Sequence, residues 1–316
     1  MTRDLSIIII SYNTRELLDA CLASVYDRLG GLDAEVIVVD NASADGSADM
    51  VRERYPQARL IENQANTGFA AANNQAIEIA VGRHVLLLNS DTYVLGDVLA
   101  ASVRYMDEHE QVGAMGCRVL NTDRTLQLTC SQTPGLVNLV LLTSGLWRLN
   151  RPRWLGRYQM KHWDRTDERD VDVISGCYLM VRRTVIEQVG PLDDAFFFFG
   201  EETDWCTRIR QAGWALRFAP VGEIVHYGSA SAASLGHERD LLLTNGLVRY
   251  HVKHSGYVMA FAVWGLLLGF NLSRCMYWTL RSLVQRGGAA RDRRDHFRGV
   301  VREYAKAWPL RHEVSG

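Results

Sequence analysis

The chain has 316 residues, of which 47% are hydrophobic and 22% are charged, so it can bury a full core and intrinsic disorder is excluded as the default state. A formal net charge of −1 excludes the strongly basic surface of a charge-driven binder, and we expect no nucleic-acid partner. The six cysteines are scattered without a CxxC pair or zinc-ligand spacing, which indicates reduced cysteines in the cytosol.

The first third of the chain alternates short β-branched runs with segments of helical apolar spacing. Strands this apolar at consecutive positions require cover on both faces, which a mostly parallel sheet flanked by helices provides. The sequence therefore predicts an α/β nucleotide-binding half at residues 1–115, and its first apolar run is too short for a cleaved export signal. The predicted strands are at 5–10, 34–39, 58–62 and 84–88, and the predicted helices at 14–26, 47–55 and 70–80.

We predict that residues 116–235 form the second half of the same domain and bind the acceptor. The stretch 122–170 is irregular, with prolines, tryptophans and several arginines, and we interpret it as a long connection shaped for a substrate. Regular elements are predicted to return as a strand at 171–181, a helix at 201–212 and a strand at 215–220.

We predict that residues 236–316 form a helical extension that associates with a membrane surface. After a helix at 241–254, residues 255–273 carry no charge over 19 positions, which is borderline for crossing a bilayer. Basic residues follow this segment, and such a flank favours the cytoplasmic side. An interfacial or re-entrant helix and a helical hairpin both fit this pattern, and so do a buried core helix and an interface between copies of the chain. The basic residues are Arg274, Arg281, Arg286, Arg291, Arg293 and Arg294.

Two polar turns follow predicted strands in the first half. Asp40 and Asn41 end the second strand, where an open parallel sheet places its ligands, and a carboxylate there accepts hydrogen bonds from a base or a ribose. Asn66, Gly68 and Asn73 lie at the start of the succeeding helix, where glycine permits close backbone approach. Turn chemistry and helix capping explain both motifs equally well.

The apolar strand 84–88 ends in Asn89, Ser90 and Asp91. Side chains two positions apart at a strand end both face a ligand, and a hard divalent cation bound to a diphosphate takes oxygen ligands such as Asp91. His226 follows a later strand, and a neutral imidazole there completes such a metal site. A simple strand-ending turn and a structural histidine are the alternatives.

Three carboxylates fall within four positions after the aromatic run 196–199. Partial burial of such a group raises a carboxyl pKa toward values useful for a general base. On a helix, Glu201 and Asp204 share a face with Arg208, whereas Glu202 points elsewhere and is available to a substrate. The alternative is an acidic helix N-terminus favoured by the helix dipole.

Taken in order, these motifs resemble family 2 glycosyltransferases of the rhamnosyltransferase-like branch, over about residues 5 to 235. The resemblance implies a GT-A fold, inversion at the anomeric carbon and a Mg²⁺ or Mn²⁺ ion on the donor diphosphate. It also implies a nucleoside-diphosphate sugar as donor and a glycan or polyprenyl-linked acceptor at the cytoplasmic face of the membrane. The motifs that carry it are Ser6–Asn13, Val38–Asn41, Asn66–Phe69, Asn89–Asp91, Ser175–Tyr178, Glu201–Arg208 and His226.

The same resemblance assigns roles residue by residue. Asp40 would hold the nucleobase, Asp91 and His226 would ligate the metal, and Glu202 would be the catalytic base, with Glu201 as the alternative. The remaining donor-side residues are Ser11, Tyr12, Asn13, Asn41, Asn66, Gly68, Asn73, Asn89 and Ser90. The acceptor-side residues are Gly176, Cys177, Asp204 and Trp205, the last beneath a sugar ring.

Two positions depart from the family pattern. Glu202 stands where the family usually has Asp, and Asn89 replaces the first acid of the DxD motif and adds no charge to the metal. Two functions from other classes therefore stay open, a non-catalytic nucleotide-sugar-binding protein at the membrane and a nucleotidyltransferase. The second lacks a Gly-rich, Lys-containing phosphate loop near the N-terminus.

Overall fold

The computed structural model describes residues 3–149, 151–228, 235–284 and 288–309. These residues form two compact units. The first unit holds residues up to 132 together with 159–197 and 201–228, and the second holds 133–158, 198–200 and the C-terminal helices. The division of the chain at 235 remains a prediction about its functional parts.

The first unit is built on a nine-stranded sheet, and its mainly parallel α/β architecture confirms the predicted fold class. Its strands are β1 Arg3–Ser11, β2 Ala34–Asp40, β3 Arg59–Glu62, β4 Gly82–Asn89, β5 Thr92–Val94, β6 Val112–Leu120, β7 Cys130–Ser131, β8 Arg169–Asp170, β9 Val173–Ile174, β10 Tyr178–Arg182 and β11 Ala215–His226. Its helices are α1 Arg15–Asp27, α2 Ser47–Arg54, α3 Phe69–Ile79, α4 Val98–Glu108, α6 Arg183–Val189 and α7 Glu201–Gln211, and helix α5, Leu136–Ser144, belongs to the second unit.

The sheet order is β3-β2-β1-β4-β10-β6-β11-β5, with β8 beside β11, and β7 and β9 form a separate pair. Strands β1 to β4 are parallel, and β6 is parallel to β11. Strand β10 runs antiparallel between β4 and β6. Strands β5 and β8 also run antiparallel to β11, so the sheet combines two parallel blocks with three reversed strands, of which β10 lies between the blocks.

Alternate residues of the strands build a core on each face of the sheet. In β1, Ile7 and Ile9 join a cluster that includes Leu18 of α1 and Met106 of α4. Ile8, between them, joins the opposite cluster with residues of α3 and α7. This alternation follows from the two-residue period of a strand and explains why the run Ile7–Ile10 is wholly apolar.

The carboxyl ends of the parallel strands bring the polar motifs to one edge. Ser11 pairs with Asp40, and Ile10 pairs with Asn89. The reversed strand β10 begins at this edge, with Tyr178 opposite Leu88, and β11 ends there with His226 opposite Thr92.

The second unit contains α8 Glu238–Ser255, α9 Tyr257–Val284 and α10 Gly288–Glu303, together with α5 and three short 3₁₀ turns. Its apolar cluster contains Leu139, Leu241, Val263, Leu267 and Val300, one or two from each helix. A hydrogen bond from the Tyr304 hydroxyl to the Trp264 carbonyl, at 2.8 Å, fixes α9 to the chain after α10. The unit therefore has a small core of its own.

Three sequence predictions differ from the structure. The strand predicted at 171–181 is broken between β9 and β10, with Gly176 in the break, and the region 122–170 contains helix α5. The uncharged segment at 255–273 belongs to a helix of 28 residues that is long and apolar enough to cross a membrane. Arg286 of its predicted basic flank lies outside the described residues.

Gly246→Ala is expected to destabilise the second unit. A Cβ at Gly246 of α8 would lie 2.2 Å from the Phe199 carbonyl oxygen, so the backbone has to move. Overpacking of this kind costs about 1–3 kcal/mol. The matched control is Gly265→Ala in α9, where a Cβ meets no atom within 4 Å and better helix propensity adds up to about 1 kcal/mol. Urea unfolding of both variants measures the difference, and equal midpoints would contradict this packing.

Candidate functional site

Asp91 and His226 lie together at the carboxyl edge of the sheet. The Asp91 Oδ1 is 3.2 Å from the His226 Nε2, and Asn89 Nδ2 is 3.2 Å from the same nitrogen. The Asp91 carbonyl accepts a hydrogen bond from the Tyr227 backbone N–H at 2.9 Å, which holds the end of β11 against this turn. Three of the sequence-predicted residues are therefore one cluster, although 137 positions separate Asn89 from His226.

Gln127 orients the His226 ring. The Gln127 Oε1 is 2.7 Å from His226 Nδ1, while the Gln127 amide nitrogen donates to Asn121 Oδ1 at 2.8 Å. This arrangement makes Nδ1 the proton-bearing nitrogen and leaves the Nε2 lone pair facing Asp91.

A divalent cation fits this pair. A carboxylate oxygen and an imidazole lone pair at 3.2 Å repel each other unless a proton or a cation lies between them. Both are ligands that Mn²⁺ accepts, and a nucleotide diphosphate supplies further oxygens. Among the described residues, no group of three or more His, Cys, Asp or Glu side chains is placed to hold an ion. The pair would thus supply two ligand atoms to an ion, and the remaining ligands would have to come from outside these side chains.

Asp40 is buried at the end of β2, and only one of its two carboxyl oxygens has a hydrogen-bond partner among the described residues. Its Oδ2 accepts the Ser43 backbone N–H at 2.9 Å, and for its Oδ1 the described residues offer no hydrogen-bond partner. A buried carboxylate oxygen without a donor is costly, and a nucleobase N–H or a ribose hydroxyl supplies one. This matches the position that the sequence predicts for the base.

Asn13 holds the turn after β1 against the turn after β2. Its side chain accepts the Ala44 N–H at 2.8 Å, and its own N–H donates to the Ser43 hydroxyl at 2.9 Å. Its φ of 54° is left-handed, which asparagine tolerates better than most residues. Asp45 adds a bond from the Arg15 N–H at 2.8 Å. These contacts make Asn13 part of the frame around Asp40.

Asn41 shapes the loop before α3. Its Oδ1 accepts hydrogen bonds from Asn63 Nδ2 and from the Thr67 N–H, both at 3.0 Å. Its Nδ2 donates to Asn66 Oδ1 at 2.8 Å. Since these bonds are all internal, Asn41 and Asn66 fix the loop that Gly68 ends.

Gly68 is required by its contacts. Its φ is +85°, and a Cβ there would lie 2.5 Å from the Phe197 carbonyl oxygen, which also accepts the Phe69 N–H at 2.8 Å. On α3, Asn73 donates to the Phe69 carbonyl at 2.8 Å, and its buried Oδ1 has no hydrogen-bond partner within the ranges described. The donor loop is thereby fastened to the segment that precedes Glu201.

Ser11, Tyr12 and Ser90 line the same edge. The Ser11, Thr14 and Ser90 hydroxyls form a buried chain with two contacts of 3.0 Å. Tyr12 is half-buried in the turn after β1. The chain of hydroxyls connects the ends of β1 and β4, so Ser11 and Ser90 keep the two strand ends in register.

Glu201 and Glu202 open helix α7. Glu201 is 4% exposed, and burial, followed by the charge of Glu202, raises its pKa well above the usual range. The raised pKa favours the protonated form of Glu201, and its causes include the charge of Glu202 and a hydrogen bond with the Glu202 side chain. Glu202 is the half-buried member of the pair.

Cys177 is close enough to Asp91 and to Glu202 for both charges to act on its thiol. Burial raises the pKa of its thiol to about 12, and the charges of Asp91 and Glu202 both add to that shift, which places the two carboxylates near one side chain. A thiol that stays protonated is no nucleophile. The Cys177 carbonyl accepts the Asn89 N–H at 3.3 Å, and Gly176 lies against the Phe69 ring.

Asp204 and Trp205, the predicted acceptor-side residues of helix α7, make contacts inside the protein. Both side chains are 0% exposed. Asp204 is paired with Arg208 at 2.8 Å, and Trp205 donates its indole N–H to the Gly190 carbonyl at 2.9 Å. Both side chains therefore help to hold α7 in place, and their contact with an acceptor stays a prediction.

Sequence reasoning missed Gln127 and Phe197. Gln127 lies in the stretch read as irregular, and nothing in its neighbours marks it as a partner of His226. Phe197 acts through its backbone carbonyl, which no side-chain motif reveals. The only available signal in the sequence was that Phe197 belongs to the aromatic run 196–199.

Gln127→Leu is expected to weaken Mn²⁺ binding by about 10- to 100-fold, because the ring of His226 loses the partner that fixes its tautomer. Titration of Mn²⁺ in the presence of a nucleoside diphosphate, followed by electron paramagnetic resonance, measures the affinity without any transfer. Gln57→Leu, exposed before β3, is the matched control and should leave the affinity unchanged. Equal affinities in the two variants would contradict the orienting role of Gln127.

Comparison with known proteins adds to this geometry. The profile of the family described as Glycosyl transferase family 2 matches residues 6–190. An N-acetylglucosaminyl-diphospho-decaprenol L-rhamnosyltransferase of Mycobacterium tuberculosis is 28% identical over 244 residues, which cover 73% of this chain and 78% of that protein.

Two solved structures share the fold. A mannosyltransferase from Pyrobaculum calidifontis, in complex with GDP-Man and Mn²⁺, has a TM-score of 0.56 at 17% identity and covers 97% of this chain and 85% of its own. GalNAc-T7 with UDP, GalNAc and Mn²⁺ has a TM-score of 0.57 at 15% identity and covers 96% of this chain and 57% of its own. The GT-A fold implied by the sequence resemblance is confirmed.

Proposed function

The chain belongs to glycosyl transferase family 2, and from that premise we propose that it moves rhamnose or a similar hexose from a nucleoside-diphosphate sugar to an acceptor hydroxyl. The acceptor is a glycan or a polyprenyl-linked sugar in cell-envelope polysaccharide synthesis. The observation that carries the proposal is the Asp91–His226 pair, 3.2 Å apart at the carboxyl edge of the sheet. The charges of Asp91 and Glu202 both act on the Cys177 thiol, which supports a common site for the pair and the predicted base.

The donor nucleotide binds at the ends of β1, β2 and β4. Asp40 uses its open oxygen on the base or ribose, and the frame formed by Asn13 and the Asn41 loop keeps that oxygen in place. Gly68 permits the loop to approach closely, since any side chain there would meet Phe197. Ser11 and Ser90 hold the strand ends on which the diphosphate rests.

Asp91 and His226 would hold Mg²⁺ or Mn²⁺. When bound, such an ion neutralises charge on the departing nucleoside diphosphate. Asn89 lacks a charge but donates toward His226 Nε2 in this structure, so it keeps the imidazole lone pair engaged until the donor arrives. The role of Gln127 is to keep the proton on the other ring nitrogen.

Glu202 is the base that takes the acceptor hydroxyl proton. The protonated Glu201 donates a hydrogen bond to it, and burial keeps Glu201 from competing for the role. The acceptor oxygen then attacks the anomeric carbon as the diphosphate leaves from the opposite face, which inverts the configuration at that carbon. No covalent sugar intermediate forms on the protein in this sequence of events.

The acceptor class rests on similarity and on the C-terminal helices. The Mycobacterium tuberculosis relative is named for transfer to a diphospho-decaprenol acceptor, which is a membrane lipid. Helix α9 is long and apolar enough to associate with a membrane. We therefore assign the protein to the cytoplasmic face of the membrane, where nucleotide sugars are available.

The product tests this function. The protein is incubated with a nucleotide sugar and a synthetic polyprenyl-diphosphate N-acetylglucosamine, and the lipid is examined by mass spectrometry and NMR. The expected result is the addition of one hexose or deoxyhexose, with anomeric configuration opposite to that of the donor. A product with retained configuration would contradict the single-displacement chemistry, and nucleotidyl transfer to a sugar phosphate would identify a nucleotidyltransferase.

A further inference from the structure

Helix α9 presents a continuous uncharged stripe to solvent. The stripe contains Val258, Phe261, Leu272, Met276, Leu280 and Leu283, which are 88%, 63%, 47%, 64%, 59% and 76% exposed. At 100° per residue these positions lie within about 60° of one line, and the helix of 28 residues makes that line about 40 Å long. Apolar side chains this exposed along a whole helix mark an interaction surface.

The opposite side of α9 packs inside the second unit. Ala260, Val263, Leu267 and Asn271 are buried, and Val263 and Leu267 belong to the unit's apolar cluster. The cations Arg274 and Arg281 lie about 140–160° away from the centre of the stripe. The first part of the helix is therefore apolar on both sides, but one side packs on protein, which leaves the exposed stripe as the side open to lipid.

The charge of the chain is segregated. Residues 133–158 and 232–316 contain 17 Lys and Arg against 6 Asp and Glu, while the rest of the chain contains 18 against 30. From Leu241 to Arg291 there is no acidic residue. The net charge of −1 for the chain is thus the sum of +11 for these two segments and −12 for the remaining residues.

The same unit exposes a second apolar and basic segment. Leu149 and Trp154 are 51% and 54% exposed, and Arg148, Arg151 and Arg153 alternate with them. No acidic residue occurs between Arg124 and Trp163. Tryptophan and arginine are side chains that suit the headgroup layer of a membrane.

We propose that the exposed stripe of α9 lies flat in the surface of an anionic phospholipid bilayer, to which the net positive charge of the second unit attracts it. The apolar side chains enter the boundary of the acyl chains, and the basic charge selects negatively charged lipid. A second copy of the chain fits this face less well, because it would bring two units of +11 together. The proposal does not depend on sugar transfer.

Flotation of the full chain with vesicles tests this docking. Binding to vesicles with about one third phosphatidylglycerol should exceed binding to pure phosphatidylcholine by at least about tenfold, and about 0.5 M NaCl should remove most of it. The double substitution Leu280→Glu and Leu283→Glu should lower binding by at least about tenfold. Gln57→Glu and Gln211→Glu, which add the same charge at exposed sites of the first unit, should lower it far less.

The unfolding midpoint and nucleoside diphosphate binding of each variant show whether it is folded. If the double variant is not folded, Val258→Glu at the other end of the stripe replaces it. Equal binding to both vesicle types, or none, would overturn the proposal. So would a dimer in sedimentation that Leu280→Glu separates, since the stripe then binds a second copy. Resistance of the membrane-bound protein to alkaline carbonate would show a crossing helix instead.

Discussion

Glu202→Gln is expected to lower sugar transfer by about 10²- to 10⁴-fold, the range that a general base contributes, while donor binding stays within a few-fold of the parent. The amide keeps the size of the side chain but takes no proton from the acceptor. Glu202 is half-buried whereas Glu201 is 4% exposed, so Glu202 is the more accessible carboxyl group of the pair. Single-turnover transfer and nucleotide binding, measured on the same preparation, separate the two effects.

Two further variants control this result. Glu201→Gln keeps a hydrogen-bond donor beside Glu202 and should lower transfer much less, because Glu201 is already protonated. Glu202→Asp restores the acid that the family usually has and should keep or raise turnover. A protein that only binds nucleotide sugar shows no turnover in any variant, and equal loss of binding and transfer in Glu202→Gln would make Glu202 structural.

Asp91→Asn is expected to abolish metal-dependent donor binding and to lower transfer by more than about 100-fold. The carboxylate lies 3.2 Å from His226 Nε2, and an amide there contributes no charge to a divalent cation. Calorimetric titration of a nucleoside diphosphate, with Mn²⁺ and with EDTA, measures the loss directly. In the parent the two titrations should differ, and in the variant they should coincide.

Asp97→Asn is the matched control for Asp91→Asn. Asp97 lies six positions further on, exposed and paired with Arg104 at 3.1 Å. Its loss should change stability by less than about 1 kcal/mol and leave binding intact. An unchanged Mn²⁺ dependence in Asp91→Asn would remove Asp91 from the metal site.

The parallel half of the fold was predictable because its signals are local. The run Ile7–Ile10 is apolar at every position, which only a strand covered on both faces requires, and the structure places these residues on both sides of the sheet. The position of the reversed strand β10 within the sheet was not predictable from the sequence. Its insertion between β4 and β6 depends on pairing across about 90 residues of chain, which no local pattern encodes.

Helix α5 was missed although its ends carry signals. Pro134 precedes it, and Gly145 ends it with a φ of +77°. Its sequence is apolar without a polar face, so helical periodicity does not show. The burial of Trp205 was missed for a similar reason, since Glu201, Trp205 and Ile209 share one buried face at four-residue spacing. Attention to the acids alone hid that pattern.

The site was predictable where chemistry is carried by a side chain at a strand end. Asp40, Asn89 and Asp91 follow apolar strands, so their convergence follows from parallel strands alone. The bond between Gln127 and His226 spans 99 positions and a region without regular structure, so only the folded chain reveals it.

Release of nucleoside diphosphate from a panel of dTDP-, UDP- and GDP-sugars is the most direct test of the proposed activity. Membrane extract supplies the acceptor, and each donor is assayed with Mg²⁺ or Mn²⁺ and then with EDTA. The account predicts release from one donor that EDTA stops and Mn²⁺ restores, and that donor identifies the sugar. A folded protein that releases nucleoside diphosphate from none of them would contradict the assignment and indicate a nucleotide-sugar-binding protein without turnover.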